Sequence, residues 1–159
     1  MKKNILIAIL AVAGFASAVA QPRAIGVNLG YGADISYQHS LGEANMIDLS
    51  LNIPAYAGLG VTATYDWINP FGVAIPWDYE GEWNWNLGVG AGVGTYAFLA
   101  YYVGAVAHAG VSYDFWFPLQ LSLDYRPNIG IAFAPTDGSM AFNTWGLATG
   151  LTLGVRYLF

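Results

Sequence analysis

The chain has 159 residues, of which 56% are hydrophobic and only 9% are charged, whereas an ordinary soluble domain carries about 25% charged residues. This composition argues against a water-exposed surface and predicts that lipid is the solvent for much of the protein. The formal net charge of −5 argues against nucleic acid as a partner, because that binding relies on Lys and Arg contacts to phosphate.

Residues 1–20 have the pattern of a secretory signal peptide. Lys2 and Lys3 form a positive start, residues 5–15 are an apolar run too short to remain in a bilayer, and small residues follow. We expect cleavage after Ala20, which leaves one domain at 21–159; the alternative is an N-terminal membrane anchor. Without the leader, three Arg oppose ten acidic residues, a net charge of 3 minus 10, or −7.

Hydrophobicity in the remaining chain alternates with a period of two. Residues 83–94 have Asn or Gly at every even position and an apolar residue at every odd one. That period indicates β-strands with different surroundings on their two faces. Residues 83–113 lack Asp, Glu, Lys and Arg, so a membrane helix is the alternative, but glycine at alternate positions would weaken a helix by about 1 kcal/mol each.

The alternation predicts an all-β fold, a transmembrane antiparallel up-and-down β-barrel. The alternating segments are 24–38, 46–54, 58–68, 82–95, 101–115, 119–133 and 143–159. Seven is an odd number, whereas single-chain bacterial barrels have an even number of strands. We therefore expect eight strands, with a hairpin at Tyr31–Ala33 that sets Gly30 opposite Asp34 and leaves the first strand short.

Turn-forming residues separate the segments where the barrel needs them. Breaker clusters occur at 41–45, at 69–70 with Pro76, at 117–118 and at 135–138. If both termini are periplasmic, the segments near 54–58, 96–100 and 134–142 face outward.

Charged and aromatic residues occupy opposite faces of the predicted strands. Every charged strand residue is at an even position, which predicts, with His108, a polar lumen network of Asp34, Asp48, Asp66, His108, Asp114, Asp124, Arg126 and Arg156. Thirteen of the seventeen Tyr and Trp residues are odd, as expected for a lipid-facing surface. They predict an aromatic belt of Tyr37, Tyr65, Trp67, Trp83, Trp85, Tyr101, Tyr113, Tyr125, Trp145 and Tyr157.

An eight-stranded lumen holds only side chains, so we expect a polar plug. Five acids against two Arg leave excess negative charge, and a narrow cation-preferring water path is the alternative.

The last strand resembles the β-signal that the outer-membrane assembly machinery reads. It places Leu151, Leu153, Val155, Tyr157 and Phe159 on one face and ends on the aromatic residue. The chain resembles small eight-stranded barrels of the OmpX and OmpA-transmembrane type. Stretches 24–26, 35–39 and 117–127 also resemble a family of short, largely uncharacterised outer-membrane barrel proteins.

The resemblance implies a location in the outer membrane of a Gram-negative bacterium. The implied partners are outer-membrane lipid, the assembly machinery during biogenesis and other outer-membrane proteins. The resemblance implies no activity. The confinement of strand charges to even positions leads us to expect a structural or envelope-interacting barrel without catalysis.

An enzyme that modifies lipid A is the alternative function, since some barrels of this size acylate or deacylate that lipid. It needs a nucleophile near a histidine base, yet Ser112 lies four strand residues, about 13 Å, from His108. Ser36 or Ser122 would have to come from neighbouring strands, and the side chains of His39 and Ser40 point apart. We therefore predict no catalytic residue, no cofactor and, with two isolated His and no Cys, no metal site.

Overall fold

The computed structural model describes residues 21–55, 57–72, 80–136, 138–144 and 146–159. The predicted leader and Trp145 lie outside the described residues. The described elements are β1 (Gln21–Gly30), β2 (Gly32–Ser40), β3 (Asn45–Pro54), β4 (Gly60–Pro70), β5 (Gly81–Tyr96), β6 (Ala100–Phe115), β7 (Leu119–Tyr125), β8 (Asn128–Ala134), β9 (Ser139–Asn143), the helical turn α1 (Gly146–Thr149) and β10 (Leu151–Leu158).

The strands close into an antiparallel barrel. Each strand from β1 to β6 pairs with the next, and β1 also pairs with β10. β7 and β8 pair with β6 in one continuous register, which is interrupted at Arg126 and Pro127, where proline has no N–H to donate. They therefore form one strand of the wall, and β9 with β10 forms the next. The predicted eight-stranded barrel is confirmed.

The first hairpin exists, but its loop is tighter than the sequence predicts. Gly30 pairs with Gly32 instead of lying opposite Asp34. The turn is this short because Gly32 adopts a φ of 143°, which residues with side chains rarely reach. The expectation of a short first strand is also wrong, because β1 begins at Gln21 and has ten residues.

The predicted strand 143–159 is broken in the structure. Pairing of β9 with β8 stops at Asn143 opposite Gly130, and pairing of β10 with β7 begins at Leu151 opposite Tyr125. The chain takes eight residue steps from Asn143 to Leu151, whereas the neighbouring strand takes five from Tyr125 to Gly130. Helical turn α1 takes up the three additional residues.

The odd number of inserted residues exchanges the two faces of the wall between β10 and β9. Met140 and Phe142 occupy even positions, yet they are 73% and 71% exposed, and Phe142 pairs with the outward Ile131. The expected loop at 134–142 is correspondingly shorter, since β9 begins at Ser139.

The barrel has two different ends. At the turn rim lie Tyr31, the connection 97–99 and the described parts of the connections from β3 to β4 and from β8 to β9, so the three segments expected to share one end do so. At the terminal rim lie the two ends of the described chain and the connections 41–44 and 116–118. No helix among the described residues is long and apolar enough to cross a membrane.

Candidate functional site in the lumen

The inside of the barrel is polar and the outside is apolar. Among the described residues, four hydrophobic side chains are buried, against sixteen polar or charged ones. The structure places five of the predicted network residues at 2% exposure or less: Asp48, Asp66, His108, Asp124 and Arg156. Arg126 is buried at 8% exposure, whereas Asp34 and Asp114 are half-buried. We call Asp48, Asp66, His108, Asp124, Arg126 and Arg156 the central network.

Arg156 uses every N–H of its guanidinium. It forms an ion pair with Asp124, with 2.8 Å between Nη2 and Oδ2. The other four acceptors are neutral side chains at 2.6 to 3.2 Å: Asn28, Ser36, Gln120 and Ser122. Because a guanidinium has five donors, this arrangement satisfies the buried charge completely.

His108 lies between two carboxylates. Its Nδ1 is 2.6 Å from Oδ1 of Asp66, and its Nε2 is 3.1 Å from Oδ1 of Asp124. An imidazolium donates from both nitrogens and therefore satisfies both acids. Asn86 and Thr64 also donate to Asp66, at 3.0 and 2.6 Å.

Arg126 reaches across the lumen to Asp48, 78 positions away in the sequence, with 2.9 Å between Nη2 and Oδ2. It also donates to Ser50. Asp48 accepts further hydrogen bonds from Gln38 at 3.1 Å and from Ser50 at 3.0 Å. The side chain of Arg126 therefore closes the central network on the side of the turn rim.

Small residues on the inner face make room for these side chains. A Cβ on Gly110 would lie 2.5 Å from Oδ1 of Asp124 and 2.6 Å from Oδ1 of Asn86. A Cβ on Gly154 would lie 2.3 Å from Oγ of Ser122. Gly110 and Gly154 are thus part of the network, because any side chain at either position would displace a buried polar group.

Arg23 also lies in the lumen, although the alternation of even and odd positions does not predict it. Its Nη2 is 3.1 Å from Oδ2 of Asp114, and Gln120 donates to the same carboxylate at 2.7 Å. The β1–β2 register shifts between Pro22 and Ala24, which turns odd-numbered Arg23 inward. The signal available in the sequence is Pro22, since proline in a strand often marks such an irregularity.

Asp34 is the one predicted acid that takes part in none of the salt bridges between described residues. It accepts a hydrogen bond from Asn52 and lies on the wall of a cavity of about 130 Å³ at the turn rim. The cavity, which we call the mouth cavity, is also lined by Thr62, Tyr102 and Arg126. A void of about 10 Å³ lies nearer the terminal rim, too small for more than about one water.

The predicted aromatic belt is spread over the outer wall. Five members lie within three residues of a strand end at the terminal rim: Tyr37, Trp67, Trp83, Tyr113 and Tyr157. Tyr101 lies at the opposite end of β6, stacked on Phe133 with 5.4 Å between ring centroids. Tyr65, Trp85 and Tyr125 lie further from the rims.

The residues of the predicted β-signal lie on the outer face where the barrel closes. Their exposures run from 45% to 67%: Leu151, Leu153, Val155, Tyr157 and Phe159. β10 pairs with β1 on one side and β7 on the other. The ring of Phe159 contacts that of Tyr157, with 5.5 Å between centroids.

The hydroxyls considered for a lipid A enzyme are engaged elsewhere. Ser122 donates to Asp124 at 2.6 Å, and Ser36 donates to Asp48 at 3.2 Å, while both ring nitrogens of His108 face carboxylates. The other histidine, His39, has its Nδ1 2.9 Å from the hydroxyl of Tyr37. Within the described ranges, no group of three or more His, Asp and Glu side chains is arranged to hold a metal ion.

No protein-family model, curated protein or solved structure matches the chain.

Proposed function

We propose that this protein is a non-catalytic integral barrel of a Gram-negative outer membrane, with a polar plugged lumen and a structural or envelope-interaction role. The observation that carries the proposal is the inverted distribution of polarity. Hydrophobic side chains such as Val89, Leu123 and Leu153 are 49% to 63% exposed, whereas charged ones such as Asp66 and Arg156 are at most 1% exposed. A barrel dissolved in water gains stability from the opposite arrangement.

Lipid accounts for this surface because only closed barrels and helices satisfy every backbone group in a bilayer. The closed ladder from β1 to β10 meets that requirement. Aromatic side chains near the strand ends suit the membrane–water interfaces. The pattern of residues 1–20 supports export, and the outer face of β10 supports recognition by the assembly machinery, as in the OmpX and OmpA-transmembrane barrels that the chain resembles.

The central network supports a plug and not a channel. Its members fill the middle of the lumen and reach across it, as the contact between Arg126 and Asp48 illustrates. We therefore expect no stepwise conductance in planar bilayers. Reproducible cation-selective steps would favour the narrow ion path.

The decisive variant is Val89→Arg on the outer face of β5, where Val89 is 58% exposed. In water, an arginine at so exposed a position changes little. In a membrane, it destabilises a barrel by about 2–4 kcal/mol at the midplane. We expect less folded, heat-modifiable barrel in outer-membrane fractions on gels.

The matched control is Leu99→Arg in the turn 97–99, where Leu99 is 72% exposed. Near an interface the same substitution has an effect of about 0–1 kcal/mol, so this variant should assemble normally. If Val89→Arg assembles as well as Leu99→Arg, the outer face does not contact lipid.

A further inference from the structure

The mouth cavity differs from the rest of the lumen in its unpartnered polar groups. Among the described residues, eight buried side-chain nitrogen or oxygen atoms have no hydrogen-bond partner. Four of these atoms belong to residues that line the cavity: Tyr102 Oη, Arg126 Nε, Asn128 Oδ1 and Thr152 Oγ1. Buried polar groups are almost always satisfied, so ordered water or a bound solute must supply the partners that the described residues do not.

The four atoms define the hydrogen-bonding character of such a partner. Arg126 Nε–H donates only and Asn128 Oδ1 accepts only, whereas the hydroxyls of Tyr102 and Thr152 do either. Thr62 is already committed, since it donates to Asn52 at 2.7 Å. A molecule that complements the cavity therefore carries both donors and acceptors.

The charge of the cavity favours a cation. Among the described lining residues, Arg126 is the one cation, and it forms an ion pair with Asp48. Asp34 is the one acid within the same described lining, and it takes part in none of the salt bridges between described residues. Together the three groups leave one negative charge at the mouth, and a hydrogen bond between two charged partners is stronger than a neutral one.

The size of the cavity limits the ligand to a few heavy atoms. A cavity of about 150 Å³ holds benzene, and the mouth cavity measures about 130 Å³. We propose that the mouth cavity binds a small protonated amino alcohol. Its ammonium donates to Asp34 and Asn128, and its hydroxyl accepts from Arg126 Nε–H and donates to Thr152. This proposal depends on the closed barrel and not on its membrane location.

The test is isothermal titration calorimetry of the purified protein in detergent micelles at constant ionic strength. The probes are ethanolamine, ethylene glycol and glycolate, which have nearly the same size but are cationic, neutral and anionic. We expect ethanolamine to bind at least about tenfold more tightly than ethylene glycol, because an ammonium-to-carboxylate ion pair is replaced by a hydrogen bond in which only the carboxylate is charged. Glycolate should bind most weakly.

The first variant is Asp34→Asn, which keeps the shape of the side chain and removes its charge. It should weaken ethanolamine binding about tenfold and abolish the preference over ethylene glycol. The matched control is Glu43→Gln, an exposed carboxylate in the connection 41–44 at the terminal rim, which should leave affinity unchanged. Thr152→Val should weaken ethanolamine binding by a few-fold, which keeps the test open if Asp34→Asn folds poorly.

Three results would overturn the proposal. The first is an absence of ethanolamine binding at concentrations up to about 50 mM, where a weak small-molecule site is still detected. The second is equal binding of the three probes, which would mean that the cavity takes up small polar solutes without selecting their charge. The third is an unchanged ethanolamine affinity in both folded variants, which would locate the binding elsewhere.

Discussion

The central network and the mouth cavity are built on the same eight-stranded wall but treat polar groups in opposite ways. In the central network, each ion pair is enclosed by further hydrogen bonds, and the five N–H groups of Arg156 all have acceptors. In the mouth cavity, Asp34 carries no salt bridge among those found between described residues, and four lining atoms are unpartnered.

This difference separates stability from recognition along the barrel axis. A satisfied buried network resists the removal of any member, because the remaining charges lose their partners. In the mouth cavity, removing one of the four unpartnered atoms should lower stability little, since that atom has no partner among the described residues to lose. Chemically similar substitutions in the central network and in the mouth cavity should therefore lower the free energy of unfolding by different amounts.

The largest effect is expected for Arg156→Met. Methionine fills much of the same volume but leaves Asp124 and four neutral side chains without their donor. Removing one partner of a buried ion pair typically lowers stability by about 3–5 kcal/mol, and we expect this loss in the free energy of unfolding. It is measured by urea unfolding from micelles, followed through the fluorescence of the six Trp.

Arg23→Met is the control for this prediction, because Arg23 and Asp114 form a partly exposed pair with side-chain exposures of 21% and 17%. Such pairs contribute about 1 kcal/mol or less. Equal losses for Arg23→Met and Arg156→Met would mean that the enclosure of the central network adds nothing to stability.

The second comparison uses one added methyl group. In Gly110→Ala, the new Cβ meets Asp124 Oδ1 and Asn86 Oδ1 at 2.5 and 2.6 Å. The network must then move, and we expect a loss of about 1–3 kcal/mol. In Gly92→Ala, the nearest atom to the new Cβ is Oγ1 of Thr62 at 3.3 Å, and Thr62 lines the mouth cavity. A shift of a few tenths of an ångström relieves this contact, and the loss should be about 1 kcal/mol or less. A Gly92→Ala barrel less stable than Gly110→Ala would reverse the assignment of the packed and open regions.

Most of the fold can be predicted from the alternation of apolar residues with small or polar ones. This alternation depends only on neighbours in the sequence, so it predicts the strand segments and the inner face. It predicts seven segments, and the eighth strand follows only from the even number of strands in single-chain barrels. It fails where an odd insertion or an irregular pairing exchanges the faces, as at Arg23 and between β9 and β10. Those features are set by pairing between strands, which the period does not encode.

Partner choice inside the lumen also lies beyond a single sequence. Arg126 and Asp48 are 78 positions apart and meet across the barrel, so their contact depends on the tilt and stagger of all eight strands. The sequence predicts that both are inside. It does not predict that Asp34 is left over, which is the feature on which the mouth proposal rests.

The smallest effects come from two hydroxyls on the inner face, one in each region. Ser122 donates to Asp124 at 2.6 Å and accepts from Arg156 at 2.6 Å, so Ser122→Ala should lower the free energy of unfolding by about 1–2 kcal/mol. Thr152 Oγ1 has no partner among the described residues, so Thr152→Val, which keeps the shape, should change stability by less than about 0.5 kcal/mol. Both are measured by the same urea titration. A loss in Thr152→Val as large as that in Ser122→Ala would mean that a bound solute or ordered water already forms a hydrogen bond with Thr152 in the mouth cavity. Saturating ethanolamine would separate these two sources, because it stabilises only a barrel that binds it.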